Sequence, residues 1–197
     1  MSNEKSLSPE SIPFRLQISG GFLLLASLTG FLCGGEALCA AGLAAAAHEL
    51  GHLALILRQG NLPRRLTLDV SGACLYCFGP EPGARQELVR ALAGPGAGAL
   101  LWLLLRGSGS GFLRVTADMS LMLSLVNLLP APGLDGGRVL GCLLPGILAE
   151  RRWERLSGAL GILSVLLTTA LGVLRSPQLF LYGLWLLLRQ LRIRLHD

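Results

Sequence analysis

Charge is what this sequence has least of. Asp, Glu, Lys and Arg supply 15% of its 197 residues, while 52% are hydrophobic; a typical globular chain carries about 25% charged residues. That shortage excludes an ordinary soluble domain. There is no basic stripe with interleaved aromatics, so nothing supports nucleic-acid binding, and no stretch repeats at a fixed period. Cys74 and Cys77 form a CxxC, yet no second CxxC or nearby His completes a tetrahedral metal site and no thioredoxin-like βαβ pattern surrounds it. The five cysteines read as free thiols in a reducing setting.

What the chain has instead is apolar length. Several runs approach the roughly 20 residues that cross a bilayer, so the fold class is an α-helical polytopic membrane protein. About six transmembrane helices are expected, at 16–33, 36–57, 87–105, 112–129, 156–174 and 178–188. Residues 1–15, with Pro9 and Pro13, read as a loose cytosolic tail, and 189–197 as a basic one. The first run is longer than a signal-peptide core and lacks a clear small-x-small cleavage site, so it is taken as a retained span. After the second span, Leu66, Leu68 and Val70 alternate with Thr67, Asp69 and Ser71, the period of a strand. Gly72 allows a bend, and 73–78 a returning strand, giving a short membrane-associated β segment at about 64–78.

Gly94-Pro95-Gly96 should break or kink the third span. Prolines 130 and 132 with glycines 133, 136 and 137 end regular helix across 127–138. Broken backbone at membrane depth is tolerated only where it is buried in protein or lines a cavity. Residues 139–148 read as a short interfacial helix.

The net charge of +5 is best read by where the cations fall. With six spans and a cytosolic N-terminus, fourteen of the seventeen Lys and Arg face the cytosol and only Arg106, Arg114 and Arg175 face outward. The bias puts both termini in the cytoplasm.

Against this background His48-Glu49-Leu50-Gly51-His52 stands out. Two imidazoles and a carboxylate are expensive in hydrocarbon. On a helix His48 and His52 lie one turn apart on the same face, so both can reach one metal ion. Glu49 then lies beside that ion, where it can handle protons for water. His52 precedes Arg58 by six residues, about 9 Å along the axis, which sets the pair inside the membrane near its cytoplasmic surface.

A catalytic zinc site usually takes three protein ligands. The extended HExxHxxGxxH pattern fails, since Leu55 and Arg58 occupy its glycine and third histidine positions. His196 lies in the tail. Glu81 and Glu87 belong to a polar loop, Glu150 and Glu154 to a basic interfacial stretch, Asp69 to the strand, and Asp118 to the outer end of its span. Asp135 remains, at about the depth of HELGH; its bland alternative is that Asp-Gly is a common turn pair.

HELGH in an early span, together with Asn127-x-x-Pro130-x-Pro132-x-Leu134-Asp135-Gly136-Gly137 in a later one, resembles the site-2 protease family of intramembrane zinc metalloproteases. Leu92-Ala93-Gly94-Pro95 is similar to a glycine-proline signature of that family. The resemblance implies Zn2+ bound by His48, His52 and Asp135, with Glu49 as general base and acid, and Asn127 helping to hold the substrate. It implies a transmembrane or membrane-associated protein as substrate, locally unwound, in the lipid bilayer of a bacterial-type cell membrane. The strand near 66–70 would hold that substrate by edge pairing. No inserted PDZ or C-terminal CBS domain is expected, and that compact form most resembles the branch containing a sporulation protease that releases a mother-cell sigma factor. The rivals are a membrane metal carrier or zinc-binding pseudoprotease, against which Glu49 argues, and a structural membrane protein with internally paired polar residues.

Overall fold

A computed structural model describes residues 14–69, 72–130 and 133–144, together with 159 and 162–163. The expected sixth span and C-terminal tail lie outside these residues, as do all but three residues of the fifth span and all but Phe14 and Arg15 of the N-terminal tail. The described chain runs β1 (Arg15–Ile18), α1 (Gly20–Cys33), α2 (Gly35–Arg58), β2 (Leu62–Asp69), β3 (Gly72–Phe78), α3 (Ala84–Leu105), α4 (Gly111–Asn127) and α5 (Asp135–Leu143).

The helices meet through small residues. Along α2, Ala40, Ala44, His48 and His52 are buried, a stripe with a period of four that occupies one helix face. On α3 the buried residues are Arg90, Ala91, Gly94, Pro95 and Gly98, and on α4 they include Thr116, Ala117, Ser120 and Ser124. A Cβ on Gly51 would meet the Ala93 carbonyl, and it would lie 2.7 Å from the Ala97 Cβ; glycine there is what lets α2 and α3 close on each other. Ser120 donates from α4 to the Gly98 carbonyl on α3 at 3.0 Å. Such interhelical bonds contribute about 0.6 kcal/mol each in a membrane. The large apolar side chains point the other way: Leu24 is 71% exposed, Phe31 87% and Leu104 69%. Small and polar inside, leucine and phenylalanine outside, is how a membrane protein solvated by lipid tails is built.

By length and composition α2 and α3 can each cross a bilayer, whereas α1 has 14 residues and α4 has 17. Six spans are therefore not established within the described residues.

Three local expectations change. The first span does not open at residue 16. Arg15–Ile18 form β1, pairing in parallel with β2, and Ser19 caps α1 by accepting from the Phe22 N–H at 3.1 Å. Of the break or kink expected in the third span, the break is absent: α3 runs through Pro95 without interruption, as membrane helices tolerate. Helix also resumes earlier than residue 139, at Asp135, whose carboxylate favours the positive end of α5.

The sheet has the order β1-β2-β3, with β2 and β3 antiparallel, so the alternating stretch is a strand with a returning partner. Cys74 and Cys77 both lie on β3. Three residues apart on a strand, they point to opposite faces, and both are free thiols.

Candidate metal centre

His48 and His52 come to the same side of α2 by the one-turn spacing of HELGH. Asp135 reaches them from the first turn of α5. Its approach depends on Gly136, where a Cβ would strike the Leu128 carbonyl at the end of α4. The result is a buried cluster of three potential metal ligands. Asp135 Oδ2 lies 3.1 Å from His48 Nε2 and 3.2 Å from His52 Nε2, and the two nitrogens are 3.2 Å apart.

These three separations can be tested against a metal. Ligand bonds of about 2.0–2.1 Å in a tetrahedron place donor atoms roughly 3.3 Å apart, close to what is seen. The donor chemistry, two imidazoles and one carboxylate, is that of a catalytic zinc site with a fourth position open. Space is also reserved for it. A Cβ on Gly94 would lie 2.7 Å from His48 Nε2 and would collide with His52 Nε2, so only glycine leaves the two imidazoles their common side.

The surroundings orient each ligand differently. His52 Nδ1 lies 2.8 Å from the Arg90 carbonyl. A carbonyl only accepts, so Nδ1 carries the proton and Nε2 turns its lone pair to the cluster. Arg90 is itself buried. Its guanidinium donates to Gln59 Oε1 and, at 2.6 Å, to Asn61 Oδ1, while Asn61 donates to the Pro80 carbonyl at 3.0 Å. The α2–β2 connection and the start of α3 are thus tied together behind His52. On the other side, Arg138 donates to Asp135 Oδ1 at 3.3 Å and to Glu87 Oε1 at 2.9 Å. Oδ1 is held outward, and Oδ2 faces the histidines. His48 has no such anchor among the described residues, its Nδ1 being buried without a hydrogen-bond partner.

Glu49 is half-buried next to His48, near enough to act electrostatically on the His52 ring. Asn127, the last residue of α4, is buried and donates to the Leu123 carbonyl at 2.9 Å. It sits one residue before Leu128, against which Gly136 packs, and so belongs to the joint that presents Asp135.

Sequence reasoning missed three contributors. In the sequence Arg90 reads as one more cytosolic cation, although a charge inside an apolar run is itself a signal. Arg138 stands three residues after Asp135, the spacing that pairs side chains on a helix. Glu87, expected in a polar loop, lies in the first turn of α3, paired with Arg138.

Known proteins resemble this chain in sequence and in fold. No protein-family model matches the chain. It is 31% identical over 144 residues to a protein of Synechocystis sp. that bears the provisional name zinc metalloprotease; the match covers 61% of this chain. This chain spans 38% of that relative's length. The site-2 protease of Methanocaldococcus jannaschii superposes with a TM-score of 0.66 over 90% of this chain and 89% of that one, at 20% identity. The chain has the site-2 protease fold.

Proposed function

We propose that this chain is an intramembrane zinc metalloprotease, cutting peptide bonds in or near the transmembrane segments of membrane-bound substrates. One observation carries the reading: two histidines of one span and an aspartate 83 residues further along meet with donor atoms 3.1–3.2 Å apart, buried, beside a glutamate. The likeness to site-2 proteases and the name of the Synechocystis relative support it.

In this reading His48, His52 and Asp135 hold zinc. A zinc ion so held supplies Lewis acidity, polarising the scissile carbonyl and acidifying water towards a pKa of about 7. Glu49 accepts the proton of the attacking water and delivers it to the leaving amine. The Arg90 carbonyl keeps His52 in the tautomer that presents Nε2, and Arg138 keeps Asp135 turned inward. Asn127 holds the substrate strand close to the centre, and the edge of the sheet offers main-chain pairing to a locally unwound substrate. The lysine and arginine bias supports an orientation with both termini in the cytosol.

The test is Glu49→Gln in the full chain, with zinc content and cleavage of co-expressed single-span proteins both measured. Zinc is expected to stay and cleavage to vanish. Retained zinc with undiminished cleavage would overturn the mechanism, and a wild type that binds zinc but shortens none of the proteins screened would favour a metal-binding pseudoprotease. Asp135→Ala tests the ligand set, since unchanged zinc affinity there would remove Asp135 from it.

A further inference from the structure

The main chain and the side chain of Arg90 reach different parts of the molecule. Its carbonyl accepts from His52 Nδ1 at 2.8 Å and so belongs to the metal centre. Its side chain leads away from that centre to the foot of the β2–β3 hairpin. The guanidinium donates through Nε to Gln59 Oε1, at the end of α2, and through Nη2 to Asn61 Oδ1 at 2.6 Å. Asn61 stands immediately before β2, whose first residue, Leu62, pairs with Phe78, the last of β3. The Asn61 amide then donates across the open end of the hairpin to the Pro80 carbonyl at 3.0 Å. The crossing is close: Gly79 has φ +149°, and a Cβ there would lie 2.7 Å from Asn61 Nδ2. Both ends of the hairpin therefore meet at one asparagine, and Arg90 holds it.

Filling this space does not require an arginine. Arg90 is 7% and Asn61 5% exposed; burying a charge is costly, and apolar side chains of similar volume are often as stable in such places. Among the described residues the guanidinium has no carboxylate partner and meets two neutral amide oxygens. What its planar fork supplies, and methionine or lysine does not, is two N–H bonds in fixed directions from one rigid group. Its two acceptors lie on Gln59 and Asn61, within the α2–β2 connection, so the pair of bonds fixes the orientation of that connection as well as its distance from α3. The sheet order β1-β2-β3 leaves β3 at an edge, and a strand added there would be carried by the hairpin.

On the protease reading above, on which this inference rests, we propose that Arg90 is a positioning residue: it fixes the β2–β3 hairpin, and a substrate strand paired to its β3 edge, in register with the His48–His52–Asp135 centre. Successive residues of an extended strand are about 3.3 Å apart, so a hairpin free to slide that far would present the neighbouring peptide bond for cleavage. The Arg90 side chain decides which bond is cut and takes no part in the chemistry. Because the contact to His52 is made by main chain, a substitution at Arg90 leaves the ligand's partner in place.

The experiment uses the full zinc-loaded chain in detergent with a single-span protein that the wild type cuts in a Glu49-dependent way, the product ends being mapped by mass spectrometry. The wild type should cut mainly at one bond. Arg90→Met should bind zinc as the wild type does, while its cuts spread to neighbouring bonds. Its kcat/KM at the original bond should fall about 10- to 100-fold, as a misplacement of about 1 Å does. Arg90→Lys, which keeps the charge without the fork, should spread the cuts as well. Hydrogen exchange supplies a readout apart from cleavage: with two bonds to a charged group removed, the amides of β2 and β3 should exchange at least about tenfold faster in Arg90→Met. If Arg90→Met does not fold, Asn61→Asp opens the foot from the other side, since it still accepts from Arg90 but sets an oxygen against the Pro80 carbonyl; it should spread the cuts too. An Arg90→Met protein, or failing that an Asn61→Asp protein, that cuts at the wild-type bond alone overturns the proposal and leaves the protease reading standing, Arg90 then being a brace for stability only. Unchanged exchange in the hairpin, or a wild type that cuts several bonds equally, overturns it as well. A wild type that shortens no protein overturns the protease reading, and this inference with it.

Discussion

Replacing Gly94 with alanine puts one methyl group where the two histidine rings converge. The added Cβ would lie 2.7 Å from His48 Nε2 and nearer still to His52 Nε2, against an ordinary carbon–nitrogen contact of about 3.5 Å. The His48 ring must retreat by roughly 0.8 Å, and the His52 ring further, although His52 is tied back to Arg90 by its Nδ1 hydrogen bond. Metal sites tolerate displacements of only about 0.2 Å. Zinc affinity should therefore fall at least about 100-fold, equivalent to about 2.7 kcal/mol. The helix itself should not suffer, because alanine is a better helix former than glycine by about 1 kcal/mol. Gly96→Ala is the matched control, since a Cβ there meets nothing within 4 Å. The assay is competition for zinc against chelators of graded strength, with residual metal measured by mass spectrometry. If Gly94→Ala holds zinc as tightly as Gly96→Ala, the steric account of the site is wrong.

Further perturbations separate the contributions to the centre. Gly51→Ala should wedge α2 from α3 against the Ala93 carbonyl and Ala97, costing about 1–3 kcal/mol as overpacking does; it would show as a lowered melting temperature of the metal-free protein, and an unchanged one would mean the helices yield freely. Arg138→Ala frees Asp135 Oδ1 and Glu87, and zinc affinity should drop about 10- to 100-fold, as when a ligand's outer partner is removed; titration with zinc reads it directly. Chelation should lower thermal stability by about 2.7 kcal/mol relative to protein at a free zinc concentration 100 times Kd, whereas His52→Ala should melt at the same temperature with and without zinc.

The parts of the site that were legible in the sequence are those that local geometry dictates. HELGH needs only the 3.6-residue turn to bring His48 and His52 to one face. The alternation of 66–69 needs only the pleat to read as a strand. Asp135 follows by elimination because acidic residues are so few in the apolar chain. Less legible was β1: Leu16-Gln17-Ile18 continues an apolar run, and nothing local distinguishes it from the start of a helix. It becomes a strand because β2 supplies a partner for its backbone, from Arg65 to Leu68, and that partner lies some fifty residues away. Arg90 was hidden for the same reason. Its carbonyl matters only once α3 lies against α2, and its side chain is tolerated in the interior only because Gln59 and Asn61 arrive to accept from it.

Glycine shows the division most plainly. Gly34, with φ +88°, ends α1 by a backbone property that any reader of the sequence can anticipate from Gly34-Gly35. Gly94 has a helical backbone and looks like a helix defect in the sequence, yet its value is the missing Cβ, which only the approach of His48 and His52 from another helix makes decisive. Composition and periodicity alone mark a membrane protein with a two-histidine, one-glutamate motif on a helix, because both act through nearest neighbours and solvent. Which side chains orient the ligands, and where space for a metal is kept, depend on contacts between segments far apart in the chain.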